Sequence, residues 1–142
     1  MDKQLKLSES ISINAPVSKV WAAITDKSLI KEYFFETDVI SDWKAGSPVT
    51  WSGEWEGQRY EEKGEVLAVE KDKQLSFSYL SSGKEDKPEN YSIIVYTLSS
   101  NGNGTTGFTV SQENFADQQA CDHSRNNWRQ VLAGLKKVAE EA

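Results

Sequence analysis

The sequence is poor in the side chains that carry thiol and imidazole chemistry: its 142 residues include one cysteine, Cys121, and one histidine, His123. A lone thiol forms no internal disulfide, and a lone imidazole rules out a two-histidine metal cluster. Two residues apart on one helix, the pair points to different faces and lies outside the hydrogen-bond reach that a Cys–His dyad needs. A structural role is expected for both residues, and neither metal nor cofactor is expected. No apolar run is long enough to cross a bilayer, and the N-terminal MDKQLKLSESISI lacks the apolar core of a secretory leader. These features predict no membrane insertion and a reducing, cytoplasmic setting. Basic residues are the minority, with 16 Lys and Arg against 22 Asp and Glu and a net charge of -6. Phosphate backbones and anionic membranes are repelled by such a surface, so nucleic-acid binding is disfavoured. The glycines of Asn101-Gly102-Asn103-Gly104 belong to no GxxxxGK phosphate loop and read as hairpin chemistry.

What the chain does have is enough apolar material for one core. Hydrophobic residues make up 37% and charged residues 27%, outside the regime of disordered chains, and the length suits one domain spanning residues 1–142. Leu5, Leu7, Ile11 and Ile13 fall on one side of a two-residue period, an opening strand whose face only Glu9 interrupts. In NAPVSKVWAAITD, Pro16 suits the first turn of a helix carrying Val17, Val20, Trp21 and Ile24 on one stripe. Asp26 is placed to cap a second short helix, which directs Leu29, Ile30, Tyr33 and Phe34 to the core.

From Thr37 to Gln112 about six strands are expected, separated by turn residues and paired antiparallel in sequence order. The polar segment from Ser81 to Asn90 is too long for a tight hairpin. A final helix from about Asp117 to Glu141 carries Cys121, Trp128, Val131, Leu132, Leu135, Val138 and Ala139 on one stripe, with Arg125, Arg129, Lys136 and Lys137 elsewhere. Gly134 inside it costs about 1 kcal/mol relative to Ala, which close approach of a neighbouring element would offset. This order is α+β, and an antiparallel sheet must curve around the long helix to bury its stripe. Incomplete contact between the two would leave a cavity.

These segments resemble the START-like, or birch-pollen-allergen-like, superfamily, and within it the family named for the activator of the heat-shock-protein-90 ATPase. NAPVSKVWAAITD resembles the family's strand-to-helix opening, DWKAGSPVTWSGE its glycine turn before a strand, KGEVLAVEKDKQLSFSY its next hairpin, and TTGFTVSQENF with HSRNNWRQVLAGLKK its last strand and long helix. The resemblance covers nearly the whole chain and implies a helix-grip fold with a cavity between sheet and C-terminal helix. Many relatives have Gly before the helix tryptophan where this chain has Asn127.

Several side chains are candidates to line that cavity. Trp51, Tyr60, Phe77, Tyr79 and Tyr96 lie on strands, and Asn127, Trp128 and Leu132 oppose them from the helix. Together they would give apolar walls with a few polar handles, the usual makeup of a small-molecule site. Glu62 shares the inward strand face of Tyr60, Gly64 and Val66, with Arg59 or Lys63 near enough in sequence to neutralise it. The leading expectation is binding, without catalysis, of a small hydrophobic or amphipathic molecule. A second is a chaperone-associated interaction module, as the resemblance implies. A third is a cyclase or hydrolase using Glu62, Tyr79, Tyr96 and Asn127, although no arrangement specifies a reaction. The protein is expected to be a monomer or weak homodimer. Trp21 and Trp43 read as structural, and Trp55 as a possible exposed contact.

Overall fold

The computed structural model describes residues 1–141, apart from the side chain of Trp55, so the contact role suggested for that residue lies outside the described residues. Strand β1 (Asp2–Ile13) is followed by helices α1 (Val17–Thr25) and α2 (Lys27–Tyr33). Six strands come next: β2 (Asp38–Ile40), β3 (Pro48–Trp55), β4 (Gln58–Glu70), β5 (Gln74–Tyr79), β6 (Ser92–Ser100) and β7 (Thr106–Phe115). Helix α3 (Gln118–Glu141) ends the described chain. All seven strands form one antiparallel sheet in the order β1-β7-β6-β5-β4-β3-β2. Hairpins join β2 to β7 in sequence, and β1 is brought to the far edge beside β7. This is the α+β helix-grip architecture, a long helix held against an open antiparallel sheet.

Local chemistry sets the helix boundaries. The Asp26 carboxylate accepts from the backbone N–H groups of Ser28 and Leu29, at 2.9 and 3.4 Å, and from the Ser28 hydroxyl at 2.6 Å. The cap satisfies donors that the start of α2 would otherwise leave unpaired. The same bonds, the Ser28 hydroxyl foremost, hold the Asp26 carboxyl below its ordinary pKa. At the start of α3, Asp117 accepts from the Ala120 N–H at 2.8 Å.

One core joins the sheet to the helices, from Leu7 and Ile13 on β1 through Val20 and Ile24 on α1 to Trp128, Leu132 and Leu135 on α3. The odd member of the β1 face, Glu9, turns towards α3. It accepts from Arg129 Nε at 2.8 Å and Arg125 at 3.4 Å, and its side chain is 19% exposed. Those two arginines, expected among the solvated residues of the helix, therefore tie α3 to β1.

Gly134 shows what the helix needs there. A Cβ at this position would stand 2.7 Å from the Tyr33 Cβ, so glycine lets α2 cross α3 at close range. Tyr33 is then anchored by its hydroxyl, which donates to the Ala23 carbonyl at 2.8 Å. The outcome for the site follows from where α3 rests. It packs mainly on β1 and against α1 and α2, and only lightly on β7. Over the middle strands the sheet and helix stand apart.

Candidate functional site

That gap is a cavity of about 700 Å³. Inward-facing residues of successive strands supply its aromatic wall. Trp51 on β3 packs on Phe77 and Tyr79 of β5, with ring centroids 5.5 and 5.2 Å apart. Phe77 meets Tyr96 of β6 at 5.3 Å, and Tyr96 meets Trp128 of α3 edge-on at 5.9 Å. Phe34, at the end of α2, closes on the other edge of Trp128 at 6.0 Å. The two tryptophans thus stand at opposite ends of a chain of ring contacts that runs from sheet to helix. Offset and edge-on contacts of this kind hold large rings in fixed orientation and so keep a wall open rather than collapsed.

Of the nine residues singled out from sequence, Trp51, Tyr60, Glu62, Phe77, Tyr79, Tyr96, Asn127 and Trp128 all line this cavity. Leu132 does not. It is 3% exposed within the packed core, and Val131 takes the place facing the gap. One residue of α-helix turns the side chain by about 100°, since 3.6 residues complete a turn. The row facing the cavity is Ala120, Ser124, Asn127, Trp128 and Val131, whereas Leu132, Leu135 and Ala139 follow the row buried in the core.

Polar groups punctuate the wall. The Tyr60 and Thr37 hydroxyls are 2.6 Å apart, and the Tyr60 ring reaches across its partner Gly53, where a Cβ would come within 2.7 Å of the phenol oxygen. Glu62 accepts from the Ser82 backbone N–H at 3.0 Å and lies close enough to the Tyr79 hydroxyl for its charge to act on the phenol. Neither Arg59 nor Lys63 is recorded against it, because Lys63 pairs with Asp86 instead. Burial raises the Tyr79 pKa well above the ordinary phenol value, with the Glu62 charge adding to the effect, and burial alone does the same for Tyr96. Both rings keep some accessible surface although protein surrounds them, because that surface faces the cavity.

Sequence reasoning missed the amides of β7. Gln112 and Asn114 continue the buried series Thr106, Phe108 and Val110 on the inward face, and they are 6% and 4% exposed. Two polar residues at inward positions of a strand were the available signal. Phe35, Met1, Lys84 and His123 also border the cavity and are exposed, which places them at its mouth. A second hollow of about 510 Å³, outside the sheet beside Lys63, Gly64 and Tyr91, has none of this aromatic enclosure. Cys121 is buried, and burial raises its thiol pKa. Among the described residues no three His, Cys, Asp or Glu side chains converge as metal ligands, and no helix is long and apolar enough to cross a membrane.

The fold recurs in solved structures. ChR145 from Cytophaga hutchinsonii is 40% identical, with 99% of this chain and 97% of that one covered and a TM-score of 0.83. MLL2253 from Mesorhizobium loti is 25% identical over 96% of this chain and 98% of that one, with a TM-score of 0.79. The Aha1 dimer from Colwellia psychrerythraea, 19% identical over 95% and 96%, shares the fold with a TM-score of 0.75. No curated protein matches the chain. The family model described as Activator of Hsp90 ATPase homolog 1-like protein matches residues 14–140, and the chain belongs to that family.

Proposed function

We propose that the protein binds a small hydrophobic or amphipathic molecule in the cavity between its sheet and α3, without transforming it. The observation that carries this reading is the cavity itself: about 700 Å³, walled by the ring series from Trp51 to Trp128. That volume lies within the range of drug-sized ligand sites, and an apolar wall with sparse polar groups is their common composition. Burial of a ligand's apolar surface would supply affinity at about 25 cal/mol per Å². The Thr37–Tyr60 and Glu62–Tyr79 pairs would supply orientation.

The carboxylate and phenols supply acid and base groups, but Glu62 and Tyr60 are already engaged within the wall, and fold alone establishes no activity. Native mass spectrometry with a broad panel of lipids and aromatic natural products tests the reading. One-to-one complexes that survive buffer exchange are expected, and a panel without any retained ligand would contradict it.

The family description favours a second reading, in which the domain touches the heat-shock-protein-90 chaperone. Exposed Phe35, 45% accessible beside the cavity mouth, is the apolar side chain best placed to couple a partner to the ligand site. A rise in chaperone ATPase rate on adding this protein would support it, and an unchanged rate would remove it.

A further inference from the structure

The two amides at the β7 end of the cavity are each held by one half only. Gln112 Oε1 accepts from Trp128 Nε1 at 2.8 Å. Asn114 Nδ2 donates to the Glu89 carbonyl at 3.0 Å and the Tyr91 carbonyl at 2.8 Å. These partners fix the orientation of both groups: reversing Gln112 would set its NH₂ against an indole N–H, and reversing Asn114 would set its oxygen against two carbonyls. What remains is opposite in kind. Gln112 offers its Nε2 donor, for which no acceptor is recorded among the described residues, and Asn114 offers Oδ1, a buried acceptor without a donor.

The two residues sit on one face of β7, roughly 7 Å apart at the strand rise, and both line the cavity. Asn114 is held there in the left-handed region, at φ 78°, where Asn is among the few non-glycine residues tolerated. The Ser92 hydroxyl adds a third restraint by donating to the Asn114 carbonyl at 2.9 Å. Buried polar groups are ordinarily satisfied, so a fixed donor left over in a cavity wall specifies a complementary acceptor, and an unpaired oxygen enclosed nearby disfavours negative charge there.

We infer that Gln112, with the enclosed Asn114 oxygen two residues along the strand, forms a polar subsite for a neutral ligand oxygen, the carbonyl of a carboxamide or lactam or a hydroxyl. This rests on the small-molecule reading of the cavity. The ligand's oxygen faces Gln112 Nε2, while Asn114 Oδ1 has no accessible surface and acts on the ligand only through its partial negative charge. A carboxylate fits poorly, since its charge would be buried near the unpaired Asn114 oxygen without a cation beside it. The basic side chains bordering the cavity, Lys84 and His123, are exposed at its mouth rather than buried with the amides.

The test compares 2-naphthamide, 2-naphthoate and 2-methylnaphthalene by NMR titration of the wild-type protein, Gln112→Glu and Gln112→Met. Glu keeps an acceptor for Trp128 but loses the donor, and Met removes both. In wild type the amide binds more tightly than the carboxylate. The ratio of amide to hydrocarbon affinity falls about tenfold in both variants, the worth of one well-made hydrogen bond. An unchanged ratio in both variants, or a carboxylate that binds as well as the amide, would overturn the subsite while leaving the cavity reading intact. Failure of all three probes to bind wild type would instead contradict the cavity reading and the subsite with it.

Discussion

The indole N–H of Trp128 on α3 donates to Oε1 of Gln112 on β7 at 2.8 Å, and both residues are more than nine-tenths buried. This bond spans the gap between helix and sheet where direct packing is light, and Phe34 and Tyr96 steady the indole from two sides. Gln112→Leu leaves the indole N–H unpaired and should destabilise the protein by about 1–3 kcal/mol. Trp128→Ala, which also removes the ring, should cost about 3–5 kcal/mol. Urea unfolding of both variants checks the order, and equal costs would show that the packing of the ring adds nothing beyond the hydrogen bond.

Gly134→Ala should destabilise despite the better helix propensity of alanine. Propensity favours the change by about 1 kcal/mol, but the new methyl would lie 2.7 Å from the Tyr33 Cβ and 3.4 Å from its Cα. Overpacking of this kind costs about 1–3 kcal/mol, so a net loss is expected. A raised unfolding midpoint would mean that α2 moves aside freely.

Glu9→Ala strips Arg125 and Arg129 of their shared carboxylate. A loss of roughly 1 kcal/mol is expected, between the worth of an exposed pair and that of a charged buried hydrogen bond. Glu9→Leu should cost less, because it continues the apolar face of Leu7 and Ile11. Thermal melts of the two variants separate charge from packing at this position, and a Leu variant less stable than the Ala one would contradict the assignment.

Tyr33, Tyr79 and Tyr96 all have pKa values raised in the folded protein, burial being the first cause in each. The folded state therefore keeps protons that the unfolded state releases near pH 10. Below that pH the contribution to stability is constant, and above it stability falls as pH rises, because the native state then binds more protons than the unfolded one. Phenolate absorbance should accordingly show these three tyrosines ionising only with unfolding. Simultaneous titration of all five tyrosines near pH 10, with circular dichroism unchanged, would contradict their burial.

Much of this architecture is legible in the residues. The two-residue period of Leu5 to Ile13, the Asp26 cap, the six strands after Thr37 and the long final helix each follow from local pattern and turn chemistry. The strand aromatics of the cavity were legible for the same reason: alternation fixes the inward face. The helix side was harder. Val131 and Leu132 are equally apolar, and only the resting position of α3 on β1, α1 and α2 decides which of them meets the gap. Its clearest trace is compositional, since Ala120, Ser124 and Asn127 form a small or polar row beside the apolar stripe. Phe34 was expected at the core and packs against it, whereas Phe35 was obscured because it lies just past α2 in a positive-φ turn that no periodicity announces.

Occupancy of the cavity can be read by a fluorescence titration with the apolar dye N-phenyl-1-naphthylamine, comparing wild type with Ala120→Phe. Ala120 lies half-buried on the cavity-facing row of α3, so the added ring should occupy the space a ligand needs. Saturable one-to-one binding by wild type, abolished in Ala120→Phe with the circular dichroism spectrum retained, is the predicted result. Equal binding by both proteins, or none by wild type, would contradict a ligand site between the sheet and α3.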